Sequence, residues 1–169
     1  MELESLLARC REYEARAARV YRTFAARTRS DAELCAVWTA LAREEDEHQR
    51  LLGRAAGWLD AARGWHTRLD GWDEATQEIE ARLAEAERAE IGADVDRQVL
   101  AALALERTEL DTLSTRLLSL VHAPQPAPGP NEHVGRLLEL AARRSTNPTI
   151  AFEAALLRAQ ALLDDRAKS

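Results

Sequence analysis

The chain has 169 residues, of which 46% are apolar and 31% charged, with only seven glycines and five prolines. That length suits one domain with a real core, and the composition excludes collagen-like, low-complexity and wholly disordered chains. A formal net charge of −6 with both signs interspersed argues against a surface made for phosphate backbones or anionic lipid, so neither nucleic acid nor a membrane is an expected partner.

Ala, Leu, Arg and Glu dominate, β-branched and aromatic residues are sparse, and no segment alternates with period two, so the expected fold class is all-α. A first helix is predicted over about residues 3–27. Ser30 or Asp31 caps a second, beginning DAELCAVWTALAREEDEHQRLL. So brief a link makes the two antiparallel neighbours about a turn centred between residues 29 and 30. Gly53, Gly57, Gly64 and Gly71 each weaken a helix by about 1 kcal/mol relative to Ala, so the second helix is expected to end or bend there.

A polar helix, DEATQEIEARLAEAERAE, follows, and residues 57–93 as a whole read as a crossover connection. Asp94 or a neighbour starts the next main helix, DVDRQVLAALALERTELDTLSTRLLSLV. Residues 124–130, PQPAPGP, form a stiff loop before a helix from about Asn131. Pro148 stops or kinks that helix near Ser145; with Thr146 or Asn147 as cap, a terminal helix covers 148–166. The expected architecture is a single antiparallel bundle of four main helices spanning 1–169, with a long crossover and an extra C-terminal helix.

No apolar run approaches the roughly 20 residues of a membrane helix, and the opening MELESLLARC holds no signal-peptide core, so the expected compartment is the cytoplasm. Cys10 and Cys35 belong to no CxxC pair and lie far apart on antiparallel helices; both are expected to be free thiols. No phosphate loop, nucleophile elbow or triad signature is present.

Chemistry concentrates on three helices. Glu45-x-x-His48 puts a carboxylate and an imidazole on one helical face, one turn apart, where they can grip one metal ion. Glu14 and Glu45 are equidistant from the first turn, so two acidic residues from different helices meet at one height. Tyr21 and Trp38 are equidistant too and read as an aromatic core layer. Glu106-x-x-Glu109 falls in the apolar stretch VLAALALERTEL, where an inward carboxylate is costly unless paired or ligating; both reaching solvent from the edge of the stripe is the other reading.

Glu14 with Tyr21, LAREEDEH and ALALERTEL together resemble the rubrerythrin branch of the ferritin-like superfamily, over roughly residues 3–55 and 94–147. The resemblance implies a ferritin-like four-helix bundle and carries over Glu14, Glu45, His48, Glu106 and Glu109 as metal ligands. The last main helix departs from the family pattern. Matching LAARRSTN to LAREEDEH sets Arg144 opposite Glu45 and Asn147 opposite His48, so a bridging Glu and a second His are both missing. A hairpin centred on residue 125 brings Arg144 level with Glu106, where its guanidinium would neutralise a carboxylate in place of a second ion.

The resemblance therefore implies an incomplete di-iron site: one iron or manganese ion with a redox role toward peroxide or oxygen, or no metal at all in a bundle that serves as a structural or partner-binding module. With no four-cysteine iron site in the chain, a redox role needs an external electron donor. The run GWLDAARGWHTRLDGW sets Trp58, Trp65 and Trp72 on one side of a helix, a stripe that closes the bundle end, seals a homodimer or docks a partner.

Overall fold

The computed structural model describes residues 2–62, 72–89, 94–107 and 132–167, and these are helical throughout apart from short turns and caps. The all-α class is what the composition predicts. The helices are α1 (Leu3–Arg27), α2 (Ala32–Ala62), α3 (Trp72–Ala89), α4 (Val95–Glu106), α5 (Glu132–Arg144) and α6 (Pro148–Ala167). None of them is long and apolar enough to cross a membrane.

Local chemistry sets the boundaries. Asp31 Oδ1 accepts the Leu34 amide at 3.1 Å, which caps α2 and leaves only residues 28–31 between it and α1. Asp94 does the same for α4 through the Arg97 amide at 2.9 Å. Asn147 Oδ1 accepts the Thr149 amide at 3.0 Å, and Pro148, with no amide hydrogen to lose, takes the first position of α6.

Helix α2 continues through Gly53 and Gly57 and ends at Ala62, inside the glycine-containing stretch where the sequence expects it to end or bend. Leu51, Leu52 and Ala55 are buried on either side of Gly53, and anchoring them outweighs about 1 kcal/mol of lost propensity per glycine. Most of the Gly-Trp run lies outside the described residues; Trp72 is half-buried against the core.

Side chains recurring every three or four residues on α1 (Leu3, Leu6, Leu7, Cys10, Tyr13, Ala17, Tyr21, Phe24) form its buried stripe against α2. Helix α3 lies along α1 in the same direction: the Tyr13 hydroxyl donates to the Thr76 carbonyl at 3.4 Å, and Arg16 reaches Glu80 and Glu87 further along. It thus returns the chain to the end where α2 begins. There Arg143 of α5 bonds Glu33 of α2, and Asn147 reaches Asp96 at the start of α4 at 3.5 Å. From that end α4 descends beside α5 and α6, with Arg107 and Glu153 3.4 Å apart, and its last residue, Glu106, is half-buried and bonded to Tyr21 of α1.

Candidate metal centre

The core between α1 and α2 is apolar for most of its length and then turns acidic. Near the interhelical turn Tyr21 and Trp38 stack with ring centroids 6.1 Å apart and planes 7° from parallel, and Phe24 meets Trp38 edge-on at 5.3 Å. Two turns away on α1 is Glu14, fully buried, and beside it on α2 is Glu45, 6% exposed. Antiparallel pairing about a tight turn puts each pair at one level, as the sequence implies.

His48, one turn beyond Glu45, completes the group. Its Nδ1 lies 3.3 Å from Glu45 Oε2 and 3.8 Å from Glu14 Oε2, and one donor atom from each of the three residues falls within 4.8 Å of the others. The imidazole is 20% exposed, so it forms the edge of the site nearest solvent.

Two carboxylates in so dry a place cannot both carry charge cheaply. Burial pushes the Glu45 carboxyl well above its ordinary value, and the neighbouring charges of Glu14 and then Glu106 push it the same way against the opposing hydrogen bond from His48. A cation bound between them would counter both the burial and the repulsion. The donor set, two carboxylate oxygens and an imidazole nitrogen, suits a borderline or hard divalent ion such as iron or manganese and lacks the thiolates of a structural zinc site. The residues fit a single ion of that kind.

Glu106 belongs to the same neighbourhood. Its Oε1 accepts the Tyr21 hydroxyl at 2.6 Å, and its charge is felt at Glu45. Tyr21, read from sequence as plain core, is therefore also a hydrogen-bond donor at the site; what would have suggested it is its position two turns from Glu14 on the same helical face. Cys10, one turn before Glu14, is buried, and that burial together with the Glu14 charge pushes its thiol pKa up, so it stays protonated. Glu109 and the side chain of Arg144 lie outside the described residues.

The register expected for the last main helix does not hold. Arg143 bonds Glu33, which sets the C-terminal end of α5 beside the start of α2. Glu45 lies twelve residues further along α2, about 18 Å at the helical rise, so Arg144 is not level with it. Asn147 caps α6 and reaches Asp96, ten residues before Glu106 on α4, so Arg144 is not level with Glu106 either. Counting outward from a turn works across the four-residue link of α1 and α2; it fails across the long connection between Arg107 and Glu132, whose ends need not be symmetric.

No protein-family model matches the chain, and no curated protein or solved structure is significantly similar to it.

Proposed function

We propose that the protein is a rubrerythrin-like member of the ferritin-like class with an incomplete di-iron site, holding one iron or manganese ion between Glu14, Glu45 and His48 and serving a redox role toward peroxide or oxygen. The observation that carries this reading is the convergence of two buried carboxylates and an imidazole nitrogen within 4.8 Å inside a helical core. Nothing in packing alone rewards two buried carboxylates side by side, whereas a divalent ion offsets the burial and repulsion that push the Glu45 carboxyl up.

In this reading Glu14 and Glu45 bind through their carboxylates and His48 through Nδ1. Glu106, tied by Tyr21, adds negative charge beside the site without a place in the three-residue set. The ion would supply one-electron chemistry, with electrons delivered by an external donor. The stacked Tyr21 and Trp38 close the site on one side, and His48 is its most exposed member.

A metal-free bundle acting as a structural or partner-binding module is the second reading. It is favoured by the His48 contacts, since the imidazole hydrogen-bonds the Glu45 carboxyl at 3.3 Å with no ion between them.

Elemental analysis of the purified protein, as isolated and after anaerobic loading with ferrous iron or manganese, separates the two. We expect close to one ion per folded chain, lost in His48→Ala. A value near zero in every sample would overturn the metal reading in favour of the module. A value near two would show that further carboxylates, Glu106 and Glu109 first among them, complete a pair.

A further inference from the structure

Reducing a peroxide to two waters takes two electrons and two protons, whereas one iron or manganese ion passing from the divalent to the trivalent state gives a single electron. A bundle that holds only one ion therefore needs a second donor close by. Tyr21 has the surroundings for it. Its ring is fully buried, stacked on the Trp38 indole at 6.1 Å and met edge-on by Phe24 at 6.4 Å, so a radical on it is shielded from solvent. Its hydroxyl donates to Glu106 Oε1 at 2.6 Å, in the range of a hydroxyl bonded to a charged carboxylate. A phenol gives up an electron readily only when a base stands ready for its proton, and Glu106 is that base.

The pair is also close to the acidic cluster. Tyr21 is seven residues from Glu14 on the buried stripe of α1, about 10 Å along the axis, and helical side chains lean toward the N-terminus, here toward Glu14. Glu106 is near enough for its charge to act on Glu45. The other aromatic side chains of this region lack the arrangement. Trp38 Nε1 is buried with no hydrogen-bond partner among the described residues, so an oxidised indole has nowhere to send its proton. Tyr13, the chain's other tyrosine, directs its hydroxyl at the Thr76 carbonyl at 3.4 Å, an acceptor too weakly basic to take a proton.

We infer, resting on the one-ion reading above, that the acidic cluster acts on a peroxide and that Tyr21 supplies the second electron, with Glu106 taking the phenol proton. The O–O bond of the peroxide breaks; one electron comes from the ion, which becomes trivalent, and one from Tyr21, which becomes a neutral phenoxyl radical. With hydrogen peroxide, two protons from solvent complete two waters while the phenol proton stays on Glu106. An external donor then restores the ion with one electron and Tyr21 with another, the proton returning from Glu106.

The test loads the protein anaerobically with ferrous iron, counts the bound ion, adds one equivalent of hydrogen peroxide and records the electron paramagnetic resonance spectrum of the frozen sample. A parallel sample contains a spin trap for hydroxyl radical. The wild type should give a phenoxyl radical and little trapped hydroxyl radical, and Tyr13→Phe should behave the same way. Tyr21→Phe, which keeps the ring against Trp38, should lose the phenoxyl signal and release several-fold more hydroxyl radical, the product of reduction by one electron, with its bound iron unchanged. Glu106→Gln still accepts the hydrogen bond but cannot take the proton, and should cut the phenoxyl yield several-fold.

Bound iron that is oxidised in the wild type with no phenoxyl signal and abundant hydroxyl radical would overturn the role of Tyr21 and leave the one-ion site standing. So would a phenoxyl signal that survives Tyr21→Phe, or an indole radical in its place. An undiminished phenoxyl yield in Glu106→Gln would overturn the assignment of the proton. A folded chain that binds no iron would overturn the one-ion site, and this inference with it.

Discussion

The Tyr21 hydroxyl donates to Glu106 Oε1 at 2.6 Å, tying α1 to the last residue of α4 inside the bundle. A bond to a carboxylate in this setting contributes about 2 kcal/mol. Tyr21→Phe keeps the ring stacked on Trp38 and removes only the hydroxyl, so it should lower the melting temperature by about 4–8 °C for a chain of this size. Tyr21→Leu, which also loses the aromatic stack, should cost more. An unchanged melting point in the Phe variant would show that the bond contributes no net stability.

That hydroxyl marks where sequence reading stops. The helices, their caps at Asp31, Asp94 and Asn147, and the meeting of Glu14 with Glu45 are legible because each follows from local rules: capping chemistry, 3.6-residue periodicity and a turn too short to leave the register free. The Tyr21–Glu106 bond joins residues 85 apart through a crossover whose length sets no register, and Asn147 meets Asp96 for the same non-local reason. Glycine marks the stretch where α2 ends but not the residue, because Gly53 sits inside the helix between buried Leu52 and Ala55.

Burial and the charge of Glu14 raise the Glu45 carboxyl above its ordinary value of 4.5. A carboxyl raised in the folded state binds its proton more tightly there than in the unfolded chain. Its contribution to stability is complete below about pH 4.5 and is lost as pH climbs through the folded value. In chelator, the metal-free protein should lose stability as pH rises from about 5 toward neutrality, with Glu14, His48 and Glu106 as the groups facing Glu45. Glu45→Gln should flatten that slope and leave stability at neutral pH unchanged or about 1 kcal/mol higher, because one buried charge is gone. Urea titrations at several pH values read both effects; an equal slope in the variant would place the titration elsewhere.

Asn147 is the last of three residues between α5 and α6. Its side-chain oxygen caps α6 at the Thr149 amide, 3.0 Å away, and its amide nitrogen reaches Asp96 at 3.5 Å. Asn147→Ala removes the cap and should cost about 1 kcal/mol, while Asn147→Asp keeps the cap but brings a second carboxylate against Asp96. The Asp variant should therefore recover stability at high salt more than the Ala variant does. Equal salt dependence would mean that the Asp96 contact is too loose to matter.

Arg16 fastens α3 to α1. Its guanidinium gives two bonds to Glu87, Nε to Oε1 at 2.7 Å and an η nitrogen to Oε2 at 2.9 Å, and a third to Glu80 at 2.6 Å. The arginine side chain is 12% exposed but the two carboxylates are 37% and 51% exposed, so solvent screens much of the attraction and geometry decides the net effect. Arg16→Ala, which also loses the packed stem, should destabilise by about 1–2 kcal/mol, and Arg16→Lys should recover less than half of that because an ammonium cannot reproduce the fork. The hydrogen bonds from Arg16 hold the Glu87 carboxyl below its ordinary value. A carboxyl lowered in the folded state contributes above its unfolded pKa and loses that contribution as pH falls through the folded one. The gap between wild type and Arg16→Ala should accordingly narrow below about pH 4.5, where Glu87 begins to protonate, and thermal melts across pH 3–7 will show it. A gap that stays constant over that range would assign the whole effect to packing of the arginine stem.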